Sequence, residues 1–147
     1  MNSRRRRSLA RRDARGRVDV VSLETTFLVD LLNEASAAVR RARTLEESGE
    51  PKCVTPPAAA EVLIGAYFLG GRELAKAHEL LESLTLLPFD PEAYHEAGKI
   101  GADLLARGEA LGAADLFIAA VTKRHGQRLL TRDRSFARVR GLQVETY

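Results

Sequence analysis

Four acidic residues of this sequence occupy positions where carboxylates could act together: Glu24, Glu61, Asp115 and Asp133. Glu24 and Asp133 each directly follow a short apolar run that is typical of a buried strand. Glu61 and Asp115 lie early in helical patterns, inside apolar runs where an acid is unusual. Each acid alone has a structural explanation, because a helix dipole stabilises an acid near its start and an aspartate can begin a turn.

The four carboxylates together indicate a metal site. If they converge, they repel one another and raise one another's pKa unless a cation neutralises them. Ligands that are all oxygen suit Mg²⁺ or Mn²⁺. A zinc site lacks support, because the three histidines are scattered and Cys53 is the only cysteine. The sequence therefore predicts a hydrolase that uses a hard divalent metal.

Apolar periodicity predicts the elements that position these acids. Strand patterns cover 18–23, 52–55, 85–89, 128–131 and 142–146. Helical patterns run from about Phe27 to Gly49, with Thr25 or Thr26 as the cap, and then over 56–69, 72–84, 91–107 and 111–125, with one or two turns at 134–139. This alternation predicts an α/β fold, with a central, mostly parallel sheet between two layers of helices.

The predicted sheet brings some of these residues to one edge. Ligands of open parallel sheets bind outside the carboxyl ends of the strands, which is where Glu24 and Asp133 fall. Thr26 and Thr131 could hydrogen-bond the carboxylates there, although helix capping and strand propensity are the structural alternatives. Asp30 is nearly two helical turns beyond Glu24, so we expect a surface or partner contact from it.

Length and composition favour one domain in a reducing compartment. The chain has 147 residues, of which 45% are hydrophobic, enough for one core. Because Cys53 has no internal partner, we expect no disulfide and a cytoplasmic setting. The longest apolar stretches fall short of the roughly 20 residues that span a bilayer, so we expect no membrane association.

The basic residues are unevenly distributed. Residues 1–17 hold eight arginines and one acid, giving +7, whereas the remainder holds 15 basic and 19 acidic residues, giving −4. We expect 1–17 to be a disordered leader and 18–147 to be the domain. The leader could hold RNA phosphates, begin an export signal, or have no function. The export interpretation is weak, because 18–23 is short and interrupted by Asp19.

Four segments resemble the signature segments of PIN-domain proteins, especially VapC-type toxins. They match in order and spacing over about 18–147, and they are 23–32, 60–66, 114–120 and 130–136. The resemblance implies a PIN-like three-layer α/β/α domain that acts as a metal-dependent endoribonuclease on RNA phosphodiester bonds. It also implies a toxin that forms a homodimer and is neutralised by a VapB-type antitoxin.

By position, Glu24, Glu61, Asp115 and Asp133 correspond to the acidic quartet of that family. Glu24, Asp115 and Asp133 would bind Mg²⁺ or Mn²⁺, and Glu61 would bind through water or orient the attacking water. The family usually has aspartate at the position of Glu24, and often a further acid where this chain has Gly112 and Ala113. These departures leave a non-catalytic PIN-fold binding protein as one alternative. A separate alternative is a metal-dependent nuclease that acts on DNA.

Three further expectations concern surfaces. Arginines near Asp133 could hold RNA phosphates or be ordinary surface charges, and they are Arg128, Arg132, Arg134 and Arg138. The helical patterns at 72–84 and 27–42 are candidate partner surfaces, with core packing as the alternative. The aromatic side chains are expected mostly in the core.

Overall fold

The computed structural model describes residues 20–147, in which strands and helices alternate along the chain. The predicted leader at 1–17 and the first residues of the predicted strand at 18–23 lie outside the described residues. The strands are β1 (Val21–Leu23), β2 (Lys52–Val54), β3 (Thr85–Leu86), β4 (Arg128–Leu130) and β5 (Gln143–Glu145). The helices are α1 (Thr25–Leu32), α2 (Ser36–Ser48), α3 (Pro56–Leu69), α4 (Gly71–Glu82), α5 (Pro91–Ala106) and α6 (Ala113–Arg124), followed by a 3-10 helix at Arg134–Arg138.

All five strands pair in parallel, in the order β3-β2-β1-β4-β5. The central strand β1 is buried along its whole length. Its Ser22 lies opposite Cys53 of β2 on one side and Leu129 of β4 on the other. The predicted α/β class with a parallel central sheet is confirmed.

The main core is built from strand residues and the inward faces of the helices. Phe27 of α1 and Phe136 of the 3-10 helix are fully buried. Alanines such as Ala58 and Ala119 are also fully buried, which lets the helix backbones approach their neighbours closely. Burial of this apolar surface supplies most of the driving force for folding.

The predicted helix from Phe27 to Gly49 is divided in two. Asn33 ends α1, Glu34 adopts a positive φ of 57°, and Ala35 is extended before α2 begins. The prediction of one continuous helix was wrong because the polar pair at 33–34 breaks it while the apolar spacing continues on both sides. The strands are also shorter than predicted, so Thr55 and Thr131 lie just beyond strand ends.

The prediction that the aromatic side chains lie mostly in the core was wrong. Five of them are exposed: Tyr67, Phe68, Phe89, Tyr94 and Phe117. Apart from Glu61, the helix α3 is almost entirely apolar, and only one face can contact the core, so its remaining apolar side chains reach the surface. Within the described residues, no helix has the length and apolar character needed to cross a membrane.

Candidate active site

The carboxyl ends of β1 and β4 meet at one edge of the sheet. Leu23 pairs with Leu130, and the Glu24 N–H donates to the Leu130 carbonyl at 3.1 Å. The next residues on the two strands, Glu24 and Thr131, are therefore neighbours. Both are buried.

Glu24 is a buried acid, only 2% exposed, whose carboxylate is held by three hydrogen bonds. Its Oε2 accepts from the Thr26 N–H at 2.9 Å, from the Thr26 hydroxyl at 2.5 Å and from the Thr131 hydroxyl at 2.7 Å. These donors offset the cost of burying the charge. Glu24 is also the cap of α1, so the prediction of Thr25 or Thr26 as the cap was wrong.

Thr131 connects Glu24 to Asp133. The Thr131 hydroxyl donates to Glu24 and accepts the Asp133 N–H at 3.0 Å. Asp133 caps the 3-10 helix, because its Oδ1 accepts from the Ser135 N–H at 2.9 Å and from the Ser135 hydroxyl at 2.7 Å. The two acids at the strand ends are thus oriented by backbone and hydroxyl donors.

Glu61 reaches the same edge from α3. The Thr25 hydroxyl donates to Glu61 Oε1 at 2.7 Å. Thr25 was predicted only as a cap, and its contact with Glu61 was not predicted from the sequence. The available signal was its place directly after Glu24, at the start of a helix facing the sheet edge.

Asp115 lies in the first turn of α6 and is half-buried. Burial raises the pKa of its carboxyl. Three neighbouring negative charges raise this pKa further, those of Asp133, Glu61 and Glu24. The structure therefore brings the four predicted acids within electrostatic reach of one another.

The donor set of this edge is suited to a hard divalent cation. Carboxylate and hydroxyl oxygens lie along it, and the pKa of Asp115 is raised by burial and then by three neighbouring negative charges, which a cation would neutralise. Within residues 20–147, no three or more His, Cys, Asp or Glu side chains are arranged to hold a metal ion. The residue types thus fit Mg²⁺ or Mn²⁺, while the side chains are held mainly by threonine and serine donors.

Two of the arginines predicted to lie near Asp133 form ion pairs within the protein. Arg128, with its side chain 15% exposed, forms ion pairs with Glu50 and Glu145, so it is neither a phosphate contact nor an ordinary surface charge. Arg132 is more exposed and pairs with Asp30. Asp30, which was expected to make a surface or partner contact, lies on α1 and faces the loop after β4, where it makes this ion pair. Arg134 and Arg138 are exposed, as predicted.

A family model described as the PIN domain matches residues 21–142. The chain belongs to the PIN-domain family. This PIN domain is 27% identical over 128 residues to the tRNA(fMet)-specific endonuclease VapC of Shigella flexneri, covering 85% of this chain and 96% of that protein. It is 32% identical over 98 residues to Ribonuclease VapC2 of Haemophilus influenzae, covering 65% of this chain and 74% of that protein.

The solved structures agree with this assignment. The PIN domain superposes on the crystal structure of VapBC2 from Rickettsia felis bound to a DNA fragment from their promoter, with a TM-score of 0.78 and 20% identity. That match covers 87% of this chain and 98% of the other. The predicted membership of the VapC-type PIN-domain proteins, with their three-layer α/β/α fold, is confirmed.

Proposed function

We propose that this VapC-type PIN domain is a metal-dependent endoribonuclease, which hydrolyses RNA phosphodiester bonds as the toxin of a toxin and antitoxin pair. The observation that carries the proposal is that four acids from four separate segments lie within electrostatic reach of one another: burial raises the pKa of Asp115, and the charges of Asp133, Glu61 and Glu24 raise it further. Structural acids are seldom gathered in this way, because their mutual repulsion destabilises the fold. The names of the Shigella and Haemophilus relatives support an RNA substrate.

Glu24, Asp115 and Asp133 would hold Mg²⁺ or Mn²⁺ at this edge. When bound, such an ion lowers the pKa of a water and neutralises charge that develops on the phosphate. The threonine hydroxyls on Glu24 then hold its carboxylate in a single orientation, as outer hydrogen bonds do in metal sites.

Glu61 would orient the attacking water and accept its proton. One of its oxygens, Oε1, accepts the Thr25 hydroxyl and is thereby fixed. We assign the proton to Oε2, the other oxygen of the same carboxylate. A carboxylate within hydrogen-bond reach of a reacting water is suited to general base catalysis.

A VapB-type antitoxin is the proposed protein partner, and its proposed docking surface is an apolar strip on α3. The strip consists of Ile64, Tyr67, Phe68 and Leu69, and Phe68 is 90% exposed. An exposed strip of this kind marks a protein contact, and an amphipathic antitoxin helix would cover it. The leucines of α4, which the sequence offered for this role, are instead half-buried against the core.

The proposed homodimer uses a second surface, the α5 groove. Its lining combines small residues, Gly98, Gly101 and Ala102, with larger apolar ones, Phe89, Tyr94, Leu105 and Phe117. Small residues allow two helices to approach closely, and a two-fold axis through this groove would bury the larger apolar side chains of both copies. We propose that the protein acts in the cytoplasm, both as a ribonuclease and when it is bound to its antitoxin.

The test is cleavage of a pool of cellular RNA by the purified chain, with EDTA, Mg²⁺ or Mn²⁺. Asp115→Asn is the inactive variant, and Asp103→Asn is the matched control, because Asp103 pairs with Arg107 on α5. We expect cutting that needs metal, is lost in Asp115→Asn and persists in Asp103→Asn. RNA left intact by folded wild-type protein would favour the non-catalytic binding protein, and metal-dependent cutting of DNA alone would favour the DNA nuclease.

A further inference from the structure

A three-residue contact joins α1 to the loop that follows β4. Arg132 donates to Asp30 through Nε at 2.6 Å and through Nη2 at 3.1 Å, so the pair is bidentate. The Tyr147 hydroxyl donates to Asp30 Oδ2 at 2.6 Å. These contacts span 102 and 117 positions of sequence.

The contact lies next to residues of the candidate active site. Arg132 stands between Thr131 and Asp133, and its backbone N–H donates to the Thr26 hydroxyl at 3.3 Å. Asp30 lies on α1, the helix that Glu24 caps. The bidentate pair therefore links the helix that begins at one acid to the loop that carries another.

This contact is partly buried and packed against the core, unlike an isolated surface ion pair. The side chain of Asp30 is 17% exposed, while that of Arg132 is 57% exposed. The Tyr147 ring packs edge-on against the fully buried Phe27, with ring centroids 4.9 Å apart. Paired guanidinium and carboxylate groups in this fork geometry are more directional than a lysine pair.

The charge states of the three groups are stable near neutral pH. The hydrogen bond from Arg132 lowers the pKa of Asp30, and the same bond raises the pKa of Arg132. Burial and the bond to Asp30 raise the pKa of Tyr147 to about 12. Near neutral pH, Asp30 and Arg132 are therefore ionised, and the Tyr147 hydroxyl is neutral and can donate a hydrogen bond.

We propose that Asp30, Arg132 and Tyr147 form a latch that positions the Thr131–Asp133 loop, and with it the Asp133 carboxylate, against Glu24 for metal binding. The three latch residues lie outside the four acids proposed for catalysis, and their role in the latch is that of positioning residues. The inference rests on the proposed function. It goes beyond that function because it assigns a role to three residues outside the acidic quartet.

The first test is Mn²⁺ affinity, measured by calorimetry on the full chain without RNA. Asp30→Asn and Arg132→Met should weaken Mn²⁺ binding roughly 10–100-fold, as loss of an outer hydrogen-bond partner typically does. Arg132→Lys keeps the positive charge and loses the bidentate geometry, so its Mn²⁺ affinity should lie between those of Arg132→Met and wild type. The double variant Asp30→Asn/Arg132→Met should be no weaker than either single variant, because both remove one contact.

The matched control is Glu96→Gln, which breaks the 2.8 Å ion pair between Glu96 and Lys123 on α5 and α6. It should change thermal stability by an amount similar to Asp30→Asn and leave Mn²⁺ affinity at the wild-type value. Unchanged Mn²⁺ affinity in Asp30→Asn, or an equal loss in Glu96→Gln, would overturn the latch.

A second measurement separates the latch from the proposed function. The Asp133 N–H donates to Thr131, so its hydrogen exchange in metal-free protein reports how firmly the loop is held. We expect faster exchange at Asp133 in Asp30→Asn than in wild type or Glu96→Gln. If wild-type protein binds no Mn²⁺, the proposed function fails, and exchange at Asp133 then decides the latch: unchanged exchange overturns it.

Discussion

The hydroxyl of Thr131 donates to Oε2 of Glu24 at 2.7 Å, across 107 positions of sequence. The same hydroxyl accepts the Asp133 N–H at 3.0 Å. One side chain thus fixes the relation between an acid at the end of β1 and an acid after β4. Hydrogen bonds within the protein therefore hold both acids in place.

Thr131→Val should destabilise the protein. Valine has nearly the same shape but leaves the buried Glu24 carboxylate with one donor fewer and the Asp133 N–H without its acceptor. A loss of about 1–3 kcal/mol in the free energy of unfolding is expected for such a buried polar group, measured by urea denaturation. Thr122→Val is the control, because that buried hydroxyl makes a longer bond of 3.4 Å to Ser22. An equal loss in both variants would contradict the special role of Thr131.

Asp115 should make the metal-free protein less stable as pH rises. Its pKa is raised in the folded state, so between the unfolded value and the folded value the folded state binds more protons. Stability is therefore greatest below the unfolded pKa and falls as pH rises through the folded pKa. The variant Asp115→Asn lacks this decline and should be the more stable protein at pH 7.

The measurement is urea unfolding at several pH values with EDTA, for wild type and Asp115→Asn. Acids with lowered pKa values, such as Asp30 and Asp90, contribute the opposite slope in both proteins and cancel in the difference. A difference between the two proteins that does not change with pH would contradict the electrostatic convergence of the four acids.

Divalent metal should stabilise the folded chain. Ligand binding to the folded state alone adds about 2.7 kcal/mol at a concentration 100 times the Kd. Mg²⁺ or Mn²⁺ should therefore raise the Tm of wild type and have little effect on Asp115→Asn. Differential scanning calorimetry with a matched ionic strength of NaCl is the measurement. A shift of equal size in both proteins would indicate general ionic effects instead of binding at the acidic edge.

Gly98→Lys should break the proposed dimer without harming the fold. A side chain added at Gly98 meets open space in the single chain, and replacing a helical glycine removes its entropic cost. Sedimentation velocity should show a dimer for wild type and a folded monomer for Gly98→Lys. His95→Lys, on the same helix outside the groove, should stay dimeric. A dimeric Gly98→Lys would exclude the α5 groove as the interface.

Much of the architecture could be predicted because it follows from local patterns. In an α/β domain the buried strands are short apolar runs, and the helices have apolar residues at helical spacing and caps such as Asp90. Both kinds of element can therefore be located from the sequence. Glu24 and Asp133 were recognised as site candidates because acids that directly follow predicted parallel strands share one edge.

The remainder depended on contacts that no local pattern describes. The latch joins Asp30 to Arg132 and Tyr147 from opposite ends of the domain, and each residue alone has the sequence signature of an exposed charge or a core ring. Glu24 was not identified as a cap because glutamate is not among the residues preferred there, although the bond from the Thr26 N–H to its carboxylate is local. Exposure of Phe68 depends on how many faces of α3 the core can cover, which is a tertiary property.

The most direct test of the central claim is single-turnover cleavage of a single-stranded RNA at saturating Mg²⁺ by wild type and Glu24→Gln. The glutamine oxygen can still accept the threonine donors, so the fold should persist while the charge is lost. The expected result is metal-dependent cleavage by wild type and a loss in Glu24→Gln larger than the roughly 100-fold upper range for outer hydrogen-bond partners. Equal cleavage by folded Glu24→Gln, or cleavage by wild type in EDTA, would contradict a metal-dependent nuclease built on this acid.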